Sequence, residues 1–287
     1  MRARYIRSGL ILLALAPAAT LAWGGDCKFS ANRAGGVDAQ GVEKVVIRAA
    51  AGDLKVVGGA RNVRIEARGT ACASSQDLLD QTQISVRREG NTVYVETGMP
   101  QDNMGGGWLL GRSSYAYIDA GIALPSNIAV DAIDSSGDAE FEDLHSLTLQ
   151  DSSGDLEIER IAGLADIGDS SGDLELEDVG SVRLRDSSGD IEVERVRGDV
   201  EIENDSSGDI RIVNTGGNVR IVNDSSGNIR VEDVKGGVTV DTDSSGDIYA
   251  GRVTGDFTVN RDGSGSIEHE SISGRVNLPN NRRDGVE

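Results

Sequence analysis

Large rings are scarce in this chain: aromatic residues make up 3% of 287. An enzyme of this length ordinarily fills its core with more of them. The shortage argues against one thick core and for many thin, similar layers. Histidine occurs only as His145 and His269, far apart in sequence. No nucleophile–base pair, phosphate-cradling loop or metal-ligand cluster is legible, so no catalytic, cofactor-binding or metal residue is assigned. Cysteine occurs only as Cys27 and Cys72, without CxxC spacing, which argues against metal binding by cysteine. Basic residues are outnumbered 28 to 48, for a net charge of −20. Such acidity disfavours nucleic acid and anionic lipid as partners and favours cations, basic surfaces or simple solubility. Beyond the first 22 residues no apolar run is long enough to span a bilayer.

What is present begins with an export signal over residues 1–22. Arg2, Arg4 and Arg7 precede the apolar run Leu10 to Ala16, and Thr20-Leu21-Ala22 suits cleavage before Trp23. The alternative is a retained N-terminal anchor. Loss of these three arginines takes the charge from −20 to −23. The mature chain is expected to be exported, with no transmembrane segment. After export Cys27 and Cys72 are predicted to form one disulfide.

The dominant feature is a repeat. Asp-Ser-Ser-Gly starts at Asp134, Asp151, Asp169, Asp186, Asp205, Asp224 and Asp243, with a looser copy at Asp262. The steps are 17, 18, 17, 19, 19, 19 and 19. A second series, Leu144, Ile161, Val179, Val196, Thr215, Val234, Val253 and Ile272, keeps the same steps. Within each unit apolar residues alternate with polar ones, as in Ile191/Val193 and Val200/Ile202. Each unit therefore reads as two short strands and two tight turns. The inward side chains of one unit cannot offset the ordering of about 19 residues, so neighbours must continue both the backbone pairing and the core. The expected fold is all-β: a single-stranded parallel β-solenoid, right-handed, with about 19 residues and two short strands per coil. The rival, an antiparallel meander or outer-membrane barrel, needs strands of about 9–11 residues and aromatic girdles.

Stacked coils would align the Asp-Ser-Ser-Gly stretches in a column. There Asp would accept bonds from the following N–H groups, Gly would supply positive φ, and the serines would bond along the stack. Like carboxylates about 4.8 Å apart repel, so splayed side chains, N–H donors or a bound cation must relieve them. Calcium is the cation to consider, although calcium-binding β-rolls use shorter repeats. The outer faces carry mixed charge. Glu192, Arg211, Arg230, Tyr249 and Glu268 share one ladder, and Glu201 should neighbour Arg220.

Outside the regular repeats, residues 23–125 read as a less regular β-rich start and 126–279 as the solenoid, with 280–287 a disordered tail. Val42 to Ala71 resembles a degenerate copy, with Gly52–Val56 and Asn62–Ile65 matching the two strands of a unit. A short helix is expected over Gln76–Gln81 and a hairpin around Glu89-Gly90-Asn91. Trp108-Leu109-Leu110, between glycines, reads as a cap on the first coils or as a partner-binding loop. Arg197-Gly198-Asp199 spells an integrin tripeptide but falls at the entry to a repeat strand and is read as structural.

The stretches GDLKVVGGARNVRIEAR from Gly52 and GDIEVERVRGDVEIEN from Gly189, behind an export signal, resemble a bacterial family of exported, adhesin-like β-strand-repeat proteins, a domain of unknown function. The resemblance covers most of the mature chain. It implies a β-solenoid on an envelope or secreted protein and supplies no catalytic residues. The expectation is a non-enzymatic binding or scaffolding module with an acidic repetitive surface, its partner an envelope glycan or protein. A polysaccharide-acting β-helix enzyme and a calcium-dependent structural repeat remain as alternatives.

Overall fold

The computed structural model describes residues 27–98 and 114–279. The expected signal, the Trp108-Leu109-Leu110 loop and the tail lie outside the described residues. The described residues open with β1 (Phe29–Asp38), β2 (Lys44–Arg48), β3 (Leu54–Gly58) and β4 (Arg64–Ala73). Helix α1 (Gln76–Gln81), β5 (Gln83–Glu89), β6 (Thr92–Gly98) and β7 (Ala116–Leu124) follow. Next come β8 (Ala129–Ile133), β9 (Ala139–Glu142), β10 (Ser146–Gln150), β11 (Leu156–Glu159), β12 (Leu164–Gly168), β13 (Leu174–Glu177), β14 (Ser181–Arg185) and β15 (Ile191–Val196). The last are β16 (Val200–Asn204), β17 (Ile210–Thr215), β18 (Val219–Asp224), β19 (Ile229–Val234), β20 (Val238–Asp243), β21 (Ile248–Val253), β22 (Phe257–Val259), β23 (Ile267–Ile272) and β24 (Val276–Asn277).

These strands form two twelve-stranded sheets. Sheet A runs β1-β4-β7-β3-β9 and then through the odd-numbered strands to β23; sheet B runs from β24 through the even-numbered strands to β8-β2-β6-β5. From β8 onward the chain alternates between the sheets, and each strand pairs in parallel with its equivalent one coil away. The fold is thus the all-β parallel solenoid that the repeat predicts, with two short strands per coil. The alternation explains the core. Ile191 and Val193 from sheet A, and Val200 and Ile202 from sheet B, are fully or almost fully buried between the sheets, and their equivalents repeat this in one continuous cluster.

The start of the chain is less regular but shares the core. Strands β2 and β3 make a rung of the same kind. In space it lies between two rungs that come later in sequence: β2 pairs with both β6 and β8, and β3 with both β7 and β9. The degenerate copy expected over Val42–Ala71 therefore holds at Leu54–Val56 but not at Asn62–Ile65. Strand β4 instead runs antiparallel to β1 and β7 in sheet A, and Val63 is 72% exposed while Ile65 is buried. Period-two alternation is the same for either strand direction, so it cannot report which neighbour a strand chooses. The α1 helix forms as expected, with the Ser75 hydroxyl capping it by accepting the Leu78 N–H and Leu79 filling the space beneath. The β5–β6 hairpin turns at Glu89-Gly90-Asn91. Cys27 and Cys72 are bonded, with Cα atoms 5.7 Å apart, which ties the start of the chain to β4. No helix among the described residues is long and apolar enough to cross a membrane.

Candidate functional site

Two columns of corners join the sheets. At the first, the Asp-Ser-Ser-Gly stretches stack rung on rung, as the backbone bonds between successive corners show: the Gly154 N–H donates to Ser171 O and the Gly189 N–H to Ser207 O. Asp169 Oδ1 accepts from the N–H groups of Ser170 and Ser171 at 2.6 and 3.3 Å, and Asp186 accepts from Ser187 and Ser188 at the same distances. The serine hydroxyls donate along the stack, for example Ser188 to Ser170 O at 3.2 Å. The glycines have φ between 115° and 144°.

Burial is what the sequence reading missed. The leading aspartates, Asp134 to Asp262, are between 0% and 6% exposed. For the six from Asp134 to Asp224, burial drives the carboxyl pKa upward. Asp134, Asp186 and Asp205 reach about 6. Asp151 and Asp224 reach about 7, where the charges of adjacent column members add to the burial.

The trailing Asp of each motif has a different task. It sits on the exposed side, and its Oδ1 accepts the N–H of its equivalent one rung on: Asp155 to Asp138 at 3.1 Å, Asp173 to Asp155 at 3.0 Å, Asp190 to Asp173 at 3.0 Å. The second corner is the other tight turn that the repeat predicts, but its left-handed backbone was not legible. There Asp143, Arg160, Asp178, Arg195, Asn214, Asp233, Arg252 and Ser271 all hold φ between 54° and 60°. Opposite charges alternate along much of this column. Arg160 Nε donates to Asp143 at 3.0 Å, Arg195 to Asp178 at 3.2 Å and Arg252 to Asp233 at 2.7 Å.

A groove of about 1030 Å³ crosses the outer face of sheet A from β1 to β15, perpendicular to the strands. One column of its lining is in register along the rungs: Lys55, Glu140, Glu157, Glu175 and Glu192, continuing to Arg211. Cations close both ends. Lys55 pairs with Glu140 and Glu142, and Arg211 Nε bonds Glu192 at 2.9 Å. Between them Glu157 and Glu175 are exposed and have no ion-pair partner among the described residues. The Glu140-to-Glu192 spacing repeats the 17, 18, 17 steps of the motif, a signal that could have located this column in the sequence. Asp119 flanks the groove, and burial, reinforced by the Asp53 charge, pushes its carboxyl above the ordinary range.

The remaining sequence candidates fall as follows. The expected ladder from Glu192 through Arg211, Arg230 and Tyr249 to Glu268 is in register, as are Glu201 and Arg220. The Arg230 guanidinium stacks 4.3 Å from the Tyr249 ring centre. Arg197 is spent on the carbonyls of Ile161 and Ala162, and Asp199 accepts the Asn218 N–H at 2.7 Å, so the tripeptide is built into the turn. His145 is exposed at a corner, while His269 packs edge-on against Phe257, with ring centres 6.1 Å apart. Among the described residues no three His, Cys, Asp or Glu side chains are arranged to hold a metal ion.

Residues 37–286 match the family model described as Toastrack DUF4097. The chain belongs to the Toastrack DUF4097 family. Solved structures match the Toastrack chain over most of its length at low identity. A "putative cell adhesion protein" from Clostridium sporogenes is 14% identical, covering 87% of this chain and 99% of its own, with a TM-score of 0.28. A "putative adhesin" from Parabacteroides merdae is 11% identical, covering 87% and 96%, with a TM-score of 0.45. A "putative lipid binding protein" from Parabacteroides distasonis is 15% identical, covering 86% and 96%, with a TM-score of 0.40. No curated protein matches this Toastrack chain.

Proposed function

We propose that the protein is a non-enzymatic binding or scaffolding module of the bacterial envelope, exported to the periplasm or the exterior, and that the grooved face of sheet A is its contact surface. The observation that carries this reading is the uncompensated pair Glu157 and Glu175, one rung apart within a column whose two ends are neutralised. Charges of one sign on adjacent rungs cost stability, and arginine offsets such carboxylates at Glu192 in this column and at Asp143, Asp178 and Asp233 in the second corner. A rigid parallel sheet presents these carboxylates at a fixed spacing of about 4.8 Å. The partner such a face suits is a cationic envelope component, a basic protein segment or an amine-bearing glycan.

The test is fractionation of cells expressing the tagged protein, followed by crosslinking, with wild type beside the Glu157→Lys/Glu175→Lys variant. The expected result is an envelope partner whose capture weakens with added salt and is lost in the double variant. Equal capture by both proteins would remove the groove from the proposal, and turnover of a glycan at the groove would remove the non-enzymatic reading.

A further inference from the structure

The buried aspartate column is the feature that contact with a partner leaves unexplained. Six of its members, Asp134, Asp151, Asp169, Asp186, Asp205 and Asp224, are at most 6% exposed. Asp134, Asp169, Asp186 and Asp205 each leave Oδ2 buried without a hydrogen-bond donor, and Asp151 and Asp224 leave both oxygens so. None of the six forms an ion pair with Lys, Arg or His among the described residues; the charged groups that bear on them are other carboxylates. Asp53 faces Asp134, Asp155 faces Asp169, and Asp190 faces Asp205. Parallel rungs fix the column spacing at about 4.8 Å.

A row of ionised carboxylates cannot persist under these conditions. Each would be buried with an unsatisfied oxygen and a like charge on either side, and either alone costs several kcal/mol or shifts the group to its neutral form. A metal ion could neutralise the row, but the carboxylates do not converge on a common point in threes. The cheaper neutralising species is the proton. A protonated carboxyl supplies the donor that an unpartnered neighbouring oxygen lacks, and it removes one charge from the pair.

We propose that the aspartate column is a proton-loaded seam: some of its carboxyls remain protonated in the folded protein and donate to the carboxylate on an adjacent rung, so that folding takes up protons and the solenoid is firmer in acid than in mildly alkaline surroundings. Asp151, both of whose oxygens lack a donor and on which the charges of Asp134 and Asp169 bear, holds such a proton. The sign follows from linkage. A carboxyl whose folded pKa is raised contributes stability that is complete below its unfolded value of about 4 and is lost as pH rises through its folded value. For Asp134, Asp186 and Asp205 the folded value is about 6, and for Asp151 and Asp224 about 7. Between those limits each retained proton raises the unfolding constant about tenfold per pH unit.

The test uses the full chain and two readouts. The first is the infrared carbonyl band of protonated carboxylic acid in the folded protein at about pH 6, followed to about pH 8. The expected result is a band that fades across this range and is smaller in Asp151→Asn/Asp224→Asn. The second is the thermal midpoint across about pH 5 to 7.5, which should fall with rising pH in wild type and fall less steeply in the variant, whose amides donate at every pH. Absence of the band at about pH 6 in folded wild type, or a wild-type midpoint that is level or rises across the range, would overturn the proposal. The infrared measurement on wild type stands even if the variant folds poorly.

Discussion

Gly189 packs against the carbonyl of Gly172 one rung away so closely that a Cβ on Gly189 would overlap the carbonyl oxygen. Its φ is 135°, a conformation that side-chain-bearing residues rarely adopt. Two independent constraints thus fix glycine here. Gly189→Ala should destabilise the protein by about 3 kcal/mol or more, read as a lowered urea midpoint. Alanine at the neighbouring Ser188, which loses only the bond to Ser170 O, should cost about 1 kcal/mol. Comparable losses from the two substitutions would contradict the stacked corner.

Asn214 makes a sharper test of the second corner. By strand propensity, valine at this exposed position next to Val213 should be tolerated or favourable. Asn214, however, holds φ at 60°, where a β-branched residue is strained. Asn214→Val should therefore destabilise by about 1–2 kcal/mol, whereas Asn214→Gly should be close to neutral. Chemical denaturation of the two variants beside wild type decides between the corner and an ordinary strand position.

These two corners show what the sequence could and could not tell. The first is legible because one residue set, Asp-Ser-Ser-Gly, meets its needs on nearly every rung. The second accepts Asp, Arg, Asn or Ser so long as the left-handed conformation is reached, and it disappears into composition. Its position was nevertheless marked, since each member directly precedes one of the series Leu144 to Ile272. Burial of the leading aspartates was not legible, because a turn aspartate and a buried one read alike until the stacking geometry is known. Insertion of the β2–β3 rung between later rungs was hidden for another reason: parallel pairing at long range leaves no local trace. The groove needs the folded-together β1, β4 and β7, so only its acidic column could have been found by spacing.

The disulfide should stabilise only one end. It closes a separation of 45 residues between Cys27 and Cys72, worth about 4 kcal/mol in the chain-entropy model. Energies in a stacked array are carried chiefly by nearest neighbours. Reduction, or Cys27→Ala with Cys72→Ala, should speed amide hydrogen exchange in β1 and β4 while leaving β15 to β21 protected. Uniform loss of protection along the chain would show that the array unfolds as one unit.

The acid side of the pH profile is set by groups of the opposite kind to the buried column. Glu142 is held at about 2, first by its hydrogen bond with Glu140 and then by the Lys55 ammonium. Burial works against Glu232, but the Arg252 and Arg230 guanidiniums outweigh it and keep its carboxyl low; Arg252 does the same for Asp233. A depressed carboxyl contributes stability above its unfolded value of about 4, and that contribution is lost as pH falls toward its folded value. The column loses its contribution in the other direction, between about 4 and about 7. The two limbs meet, so the thermal midpoint should peak near pH 4 to 5 rather than near neutrality, at about the unfolded pKa that both limbs share. Lys55→Met should soften the acid limb and leave the neutral limb in place, because Lys55 touches Glu140 and Glu142 but no member of the buried column. A midpoint that peaks above about pH 7 would mean that the aspartate seam does not control stability.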